Sequence, residues 1–272
     1  MGFGRSVINT LSDFSYLLNR DAPTGYKLRV TGIYLRLTAQ FFFNKLRIKQ
    51  RSLRILGREV HFPDFPTFAF LFREIFVKQV YSFKMERPVI IDCGANIGMS
   101  MLYFKHFRPD AGIYGFEPLP ENFKFLKRNV GRLSKVKIYE APVSTEEGFT
   151  TFFFDAQNPA TLVTSGQYKA PSGKDSVKVK TVRLSSFIKR VKPDVLKMDG
   201  EGAESEILKD LDATGVLKNI SLLVIEYHHN IGNNASFAEF LSILERNGFT
   251  YYVDSVLAPR EMDQDILVYA RR

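Results

Sequence analysis

Apolar residues along this chain fall into short runs, each closed by a charged residue, a glycine or a proline. Val89 to Asp92, Ala111 to Pro118, Lys135 to Ala141, Asp194 to Met198 and Ile220 to Glu226 read as strands. Continuous runs rich in Val, Ile and Leu mark strands buried on both faces of a parallel sheet. Between them lie segments of helical character: Ile97 to Phe107, Pro120 to Val130, Ala203 to Leu211, and Ser236 to Asn247, the last stopped by Gly248. Strand and helix in alternation predict right-handed βαβ units and an open doubly wound sheet. Three further patterns surround this repeat. Arg51 to Phe62 reads as two short strands around Gly57, and Pro66 to Tyr81 as a helix with Phe68, Phe72, Phe76 and Val80 on one face. Thr150 to Phe154 and Val177 to Arg183 alternate as a hairpin, and Phe249 to Val253 with Asp265 to Arg271 close the chain as paired strands. Asp155 to Ser176 is rich in Gly, Pro, Ser and Thr and reads as a long loop, the usual form of a lid or substrate segment.

Length and composition fit that picture. The chain has 272 residues, enough for one large α/β domain with an appendage, and 45% hydrophobic residues, enough for its core. No apolar run reaches the ~18 residues of a spanning helix, and no secretory signal is visible. Cys93 is the single cysteine, which excludes an intrachain disulfide and fits a reducing, cytoplasmic compartment. No cysteine or histidine pairs suggest zinc.

Charge changes the picture at one end. The whole chain carries +9. Residues 1–60 hold 11 Lys/Arg and 3 Asp/Glu, a net of +8, which leaves +1 for the rest. From Ala22 to Arg58 there are nine basic residues and no acid, interleaved with Phe41, Phe42, Phe43, Leu46, Ile48, Leu53, Ile55 and Leu56. Such a segment suits a helix and hairpin packed on the main domain, peripheral contact of residues 22–58 with an anionic membrane, or contact with nucleic acid. The opening MGFGRS also matches a short myristoylation pattern, one with many chance matches.

The densest chemical signal is VIIDCGANIG, Val89 to Gly98. A buried strand ends at Asp92, and Gly94, Asn96 and Gly98 follow at once. Glycines there permit positive φ and close approach of a ligand to the backbone. The helix behind offers unpaired N–H groups and a positive dipole end. A dinucleotide site would read G-x-G-x-x-G and cradle a pyrophosphate. Here Asn96 fills a glycine place, and Asp92 would set a carboxylate beside phosphate. S-adenosylmethionine has no phosphate; it carries a sulfonium and an amino group, which an acidic strand tip favours. The next strand tip supplies Glu117, about 20 residues on, where a carboxylate can accept both ribose hydroxyls.

A second cluster, DVLKMDGEGAESEIL, spans Asp194 to Leu208. Its strand delivers Lys197 and Asp199 to the carboxyl edge of the sheet, and Glu201 and Gly202 open the turn into a helix. Glu204 and Glu206 in the first helical turn suit the dipole. Lys197 and Asp199, at the end of a buried strand, are not explained that way and suit proton transfer or substrate orientation. The Asp92 strand and this one are expected to flank the topological switch point, where open parallel sheets bind ligands. The following strand brings Glu226, Tyr227, His228 and His229 to the same edge, with one histidine facing the site and the other away.

DCGANIG, GFEP, LKMDGEGAE and IEYHH, in this order, resemble the FkbM-type methyltransferases, as do the short hairpin and REIFVKQVY upstream. The resemblance covers about residues 50 to 270, which divides the chain into a basic appendage at 1–50 and a methyltransferase domain at 51–272. It implies a class I methyltransferase fold, a Rossmann-like sheet of seven strands with the last antiparallel, and methylation of a hydroxyl on a sugar, a glycan or another small molecule. Asp92, Gly94, Asn96, Gly98 and Glu117 match its cofactor motif; Asp199, Glu201 and Gly202 match its second segment. On this reading Asp199 or His228 takes the hydroxyl proton, with Glu201 and Lys197 orienting the acceptor. A divalent metal on Asp199 and Glu201 is the alternative route to an acidified hydroxyl. Methylation of an RNA ribose 2′-hydroxyl, and a silent S-adenosylmethionine-binding protein, are the competing functions.

Overall fold

A computed structural model of the chain describes residues 12–43, 50–154, 175–229, 236–255 and 264–272. The MGFGRS start, Leu46, Ile48 and residues 155–174 of the expected loop lie outside them, as do the side chains of Phe41, Phe42 and Phe43.

Seven strands form the central sheet: β3 (Val89–Cys93), β4 (Gly112–Phe116), β5 (Val136–Tyr139), β9 (Val195–Asp199), β10 (Leu222–His229), β11 (Thr250–Ser255) and β12 (Gln264–Arg271). Their order across the sheet is β11-β12-β10-β9-β3-β4-β5. β3 pairs in parallel with both β4 and β9. The chain therefore winds outward from β3 to one edge, then returns to β9 and winds the other way. The gap between the carboxyl ends of β3 and β9 is the topological switch point. β12 lies between β10 and β11, antiparallel to both. Seven strands in this order, with the last one reversed, are the class I methyltransferase fold that the sequence implies.

Helices α3 (Met99–Phe107), α4 (Pro120–Val130), α5 (Leu184–Val191), α6 (Glu204–Ala213) and α7 (Phe237–Arg246) cover the two faces. Two apolar clusters result, one around Ile90, Met101 and Phe104, the other around Ile91, Leu196 and Phe240. The neighbours Ile90 and Ile91 point to opposite faces, as a strand requires. α5 has no counterpart in the sequence reading, although Leu184, Phe187, Ile188 and Val191 keep helical spacing. It starts directly where β8 (Asp175–Arg183) stops, with no turn residue to mark the boundary. β8 pairs antiparallel with β7 (Gly148–Phe154), the expected hairpin, and parallel with the short β6 (Val143–Ser144).

The lead-in is part of the body. Residues 12–19 are helical, and α1 (Thr24–Phe43) follows. Tyr26, Val30, Tyr34 and Leu37 of α1 lie in the same apolar cluster as Ile90 and Phe104. Arg73 holds Asp13 by two hydrogen bonds of 2.6 and 2.8 Å, and the Tyr34 hydroxyl donates to the same carboxylate at 2.5 Å. β1 (Ser52–Ile55) and β2 (Arg58–His61) pair around Leu56 and Gly57, both at positive φ as a type I′ turn demands. Asn129 of α4 clasps this hairpin: it accepts the His61 N–H and donates to the His61 and Ile97 carbonyls. The expected helix from Pro66 to Tyr81 is shorter. α2 (Phe65–Phe72) is capped by Asp64 and runs into a wider π turn, Arg73–Val77. That turn shifts the phase, so Val80 and Tyr81 lie beyond the helix and Tyr81 is buried.

Candidate active site

The bend after β3 takes three left-handed steps, at Gly94 (φ 78°), Asn96 (φ 48°) and Gly98 (φ 90°). A Cβ on Gly94 would sit 2.3 Å from the Asp199 carbonyl oxygen, because β9 runs alongside. A Cβ on Gly98 would sit 2.9 Å from Val130 and 3.0 Å from Leu126 on α4. Asn is the side chain that best tolerates the middle step, and its Oδ1 accepts the Ile97 N–H at 2.7 Å. Glu117 closes the bend from β4. Its two oxygens each accept one backbone N–H at 2.9 Å, from Asn96 and from Leu119. Burial pushes this carboxyl up to about 7, against the lowering effect of those two bonds. The Asn122 side chain also donates to this carboxylate, which leaves acceptor capacity for one further hydroxyl donor.

Behind the bend sits a buried ion pair. Asp92 and Lys197 are register partners on β3 and β9, and Lys197 Nζ lies 3.2 Å from Asp92 Oδ1. Ser100 donates to the other Asp92 oxygen at 2.5 Å. Lys197 also donates to the Gly94 carbonyl at 2.6 Å and the Cys93 carbonyl at 3.2 Å. Burial opposes its charge, but the Asp92 carboxylate and its neighbours hold the ammonium well above its usual pKa. Asp92 and Lys197 are both buried, so they brace the bend from beneath rather than lining its open side. The Tyr81 ring covers Lys197 at 5.7 Å, and Tyr269 fixes that segment by donating to the Val80 carbonyl at 2.5 Å. Cys93 is buried and its thiol is pushed up by that burial, which suits packing and not nucleophilic work.

At the edge, Asp199 ends β9 and Glu201 follows at φ 52°, a strained position for a side chain of this size. Glu204, buried at the start of α6, holds this turn together. Its Oε1 accepts the Gly200 and Gly202 N–H groups at 2.8 and 3.1 Å and meets His228 Nδ1 at 3.0 Å. The other imidazole nitrogen, Nε2, lies 3.7 Å from Glu201, 3.8 Å from Asp199 and 3.9 Å from Asp265. Burial favours neutral imidazole, but the Glu204 bond and the surrounding carboxylates outweigh it and keep His228 protonated well above its usual range. Glu226 pairs in register with Asp199; burial, then the Asp199 charge, pushes it up to about 8. Burial and Asp199 push Glu201 up as well.

The sequence-predicted residues thus gather in two layers. Gly94, Asn96, Gly98 and Glu117 form the bend, with Asp92 and Lys197 under it. Asp199, Glu201 and His228 converge at the edge, with one donor atom each inside 4.8 Å, a span suited to proton transfer or to one divalent cation. His229 takes the opposite side of β10, the side on which Tyr227 packs against Phe237 and Phe240 of α7. Sequence reasoning missed Glu204 as the anchor of His228, because an acid in a first helical turn is already explained by the dipole. It missed Tyr81, which the π turn carries out of the helical pattern, and gave Glu226 no role.

The sequence has known relatives. The family model described as the methyltransferase FkbM domain matches residues 92–251. The 31-O-demethyl-FK506 methyltransferase FkbM of Streptomyces tacrolimicus is 30% identical over 239 residues, 75% of this chain and 89% of that protein. The hexuronic acid methyltransferase AglP of Haloferax volcanii is 28% identical over 150 residues, 54% of this chain and 58% of that one. Among solved structures, the methyltransferase FkbM from Methylobacillus flagellatus aligns at a TM-score of 0.46 and 14% identity, over 98% of this chain and 60% of that chain. A glycine bend clasped by one acidic strand tip, at the switch point of a seven-stranded sheet, and a family match beginning at Asp92 itself lead to one conclusion: this chain belongs to the FkbM methyltransferase family and uses S-adenosylmethionine.

Proposed function

We propose that the chain transfers a methyl group to a hydroxyl oxygen of a sugar, a glycan or another small molecule. The observation that carries this reading is a pair of reachable carboxylates beside the cofactor bend. The Asp199 and Glu201 side chains are 25% and 26% exposed, and the Asp199 backbone abuts Gly94. An alcohol is a weak nucleophile while it keeps its proton, so a base must stand where the oxygen attacks.

The residues present fit S-adenosylmethionine. Glu117 keeps acceptor capacity for a ribose hydroxyl. Gly94 lets β9 pass close against the bend, where a Cβ would strike the Asp199 carbonyl, and Asp92 with Lys197 holds the bend in shape. When bound, the cofactor supplies a methyl group on a sulfonium whose positive charge disappears on transfer. The remaining work belongs to the chain: align the oxygen, exclude water and accept one proton. Alignment of this kind accounts for several kcal/mol of barrier. Asp199 takes the proton. His228 is a poor choice for that role because Glu204 keeps it protonated; as an imidazolium it steadies Asp199 and Glu201. Lys197, with its protons committed to the Cys93 and Gly94 carbonyls, sets the bend and not the acceptor. Glu201 orients the incoming hydroxyl.

The names of two relatives support the acceptor class: one is a hexuronic acid methyltransferase, the other a 2-O-methyltransferase, NoeI of Sinorhizobium fredii. The test is a panel of hexuronosides, neutral glycosides and polyketide-like alcohols, incubated with methyl-labelled S-adenosylmethionine, with RNA and amines as counter-substrates. Label in an alkali-stable ether of a small-molecule alcohol is expected. Label confined to RNA or to nitrogen contradicts the proposal.

A further inference from the structure

Helix α1 has two faces of different fate. Tyr26, Val30, Tyr34 and Leu37 are buried in the body. On the other side Leu28 is 69% exposed and Leu35 50% exposed. They stand seven residues apart, two helical turns, with the exposed Gly32 between them and the exposed Ala39 beyond. Arg29 and Arg36, both exposed, run beside this stripe at the same spacing. Lys27 reaches from the same helix to donate to the Leu18 carbonyl at 2.6 Å. That bond ties the backbone at Leu18, whose side chain is 65% exposed, to the first turn of α1. Leu28 and Leu35, in water on the bare side of one helix, form an apolar stripe, and the exposed Leu18 lies on the helical stretch just before it.

The charge around the patch has one sign. Nine basic residues and no acid occur from Ala22 to Arg58. The two acids just before that stretch are already engaged: Asp13 is buried against Arg73, and Asp21 meets Lys84 at 2.6 Å. We propose that this face docks on an anionic lipid surface, with Leu18, Leu28 and Leu35 in the boundary between headgroups and acyl chains and Lys27, Arg29 and Arg36 at the phosphates. RNA would satisfy the arginines and leave the leucines in water, whereas a bilayer satisfies both. The contact is peripheral, since no helix among the described residues is long and apolar enough to cross a membrane. It is independent of the acceptor proposed above.

The test is vesicle flotation of the full chain, with phosphatidylcholine alone and with phosphatidylserine added. Flotation is expected only with the anionic lipid, weakening as salt rises. Arg29→Ala with Arg36→Ala is expected to weaken it by about tenfold or more, and Leu28→Glu with Leu35→Glu to abolish it. Leu28→Ser with Leu35→Ser serves as the milder pair, and S-adenosylmethionine affinity reports in each variant that the body is folded. Failure to float with anionic vesicles overturns the proposal. So does flotation that both leucine pairs leave unchanged, or retention on RNA that exceeds retention on lipid.

Discussion

In the proposed reading, the cofactor site turns on Glu117. Its carboxyl is raised to about 7 by burial, so in the folded chain it is protonated below that value and ionised above it. An acid raised in this way stabilises the fold at low pH and loses that contribution as pH rises through 7. Ribose hydroxyls donate best to the ionised form and offset the loss. S-adenosylmethionine should therefore bind more tightly, and raise Tm further, at pH 8 than at pH 6. In Glu117→Gln the pH dependence should vanish and affinity fall by ~10- to 100-fold, the worth of hydrogen bonds to a charged group; calorimetry at both pH values checks this. Gly94→Ala tests the bend. A side chain there meets the Asp199 carbonyl at 2.3 Å at a φ of 78°, so cofactor binding should be lost and Tm should drop. The bend at these residues was legible in the sequence because positive φ and close backbone approach leave few substitutes for glycine. The direction in which Lys197 points was not legible. A lysine at a strand tip reads the same whether it faces an acceptor or folds back on Cys93 and Gly94.

Among elements, the instructive ones are those where local spacing was overridden. The aromatic stripe from Phe68 to Val80 is a good helical pattern, yet the π turn at Arg73–Val77 ends it early and delivers Tyr81 to the ammonium of Lys197. An extra residue in a helical turn leaves no composition signal. α5 failed for the opposite reason: its Leu184, Phe187 and Ile188 pattern was present but joined to β8 without punctuation. One link that holds the lead-in to the body is the Asp13 carboxylate, which meets Arg73 of the body and Tyr34 of α1. Asp13→Ala removes the acceptor of three bonds and leaves the half-buried Arg73 guanidinium with Glu74 as its carboxylate partner. Stability measured by urea unfolding should fall by about 2–3 kcal/mol, and residues 12–43 should become the first site of proteolysis. Glu204→Gln acts on the next element. It weakens the bonds to Gly200 and Gly202 and releases His228 toward its ordinary pKa, so the His228 titration followed by NMR should move down into the neutral range. A His228 titration left unmoved would contradict the anchoring role.

Over the whole molecule, the order of strands assembles the chemistry. β3 and β9 are far apart in the chain and adjacent in the sheet, so Asp92 meets Lys197 and the bend meets Asp199. β10 and β12 then add Glu226, His228 and Asp265 in register. Alternating runs of strand and helix foretold this layout, since a doubly wound sheet has one switch point and the acidic tips fall on it. The fate of the basic lead-in was not foretold, because interleaved basic and apolar residues serve a packed helix and a membrane face equally, and α1 is buried on one side and bare on the other. The account predicts that holding the cofactor and taking the proton are separate tasks of one edge. The direct measurement is Asp199→Asn, assayed for S-adenosylmethionine affinity and for kcat on the acceptor that labels best. Affinity within a few-fold of the parent chain, with kcat lower by ~100-fold or more, is the expected result; undiminished kcat would contradict it, as would the loss of cofactor binding together with activity.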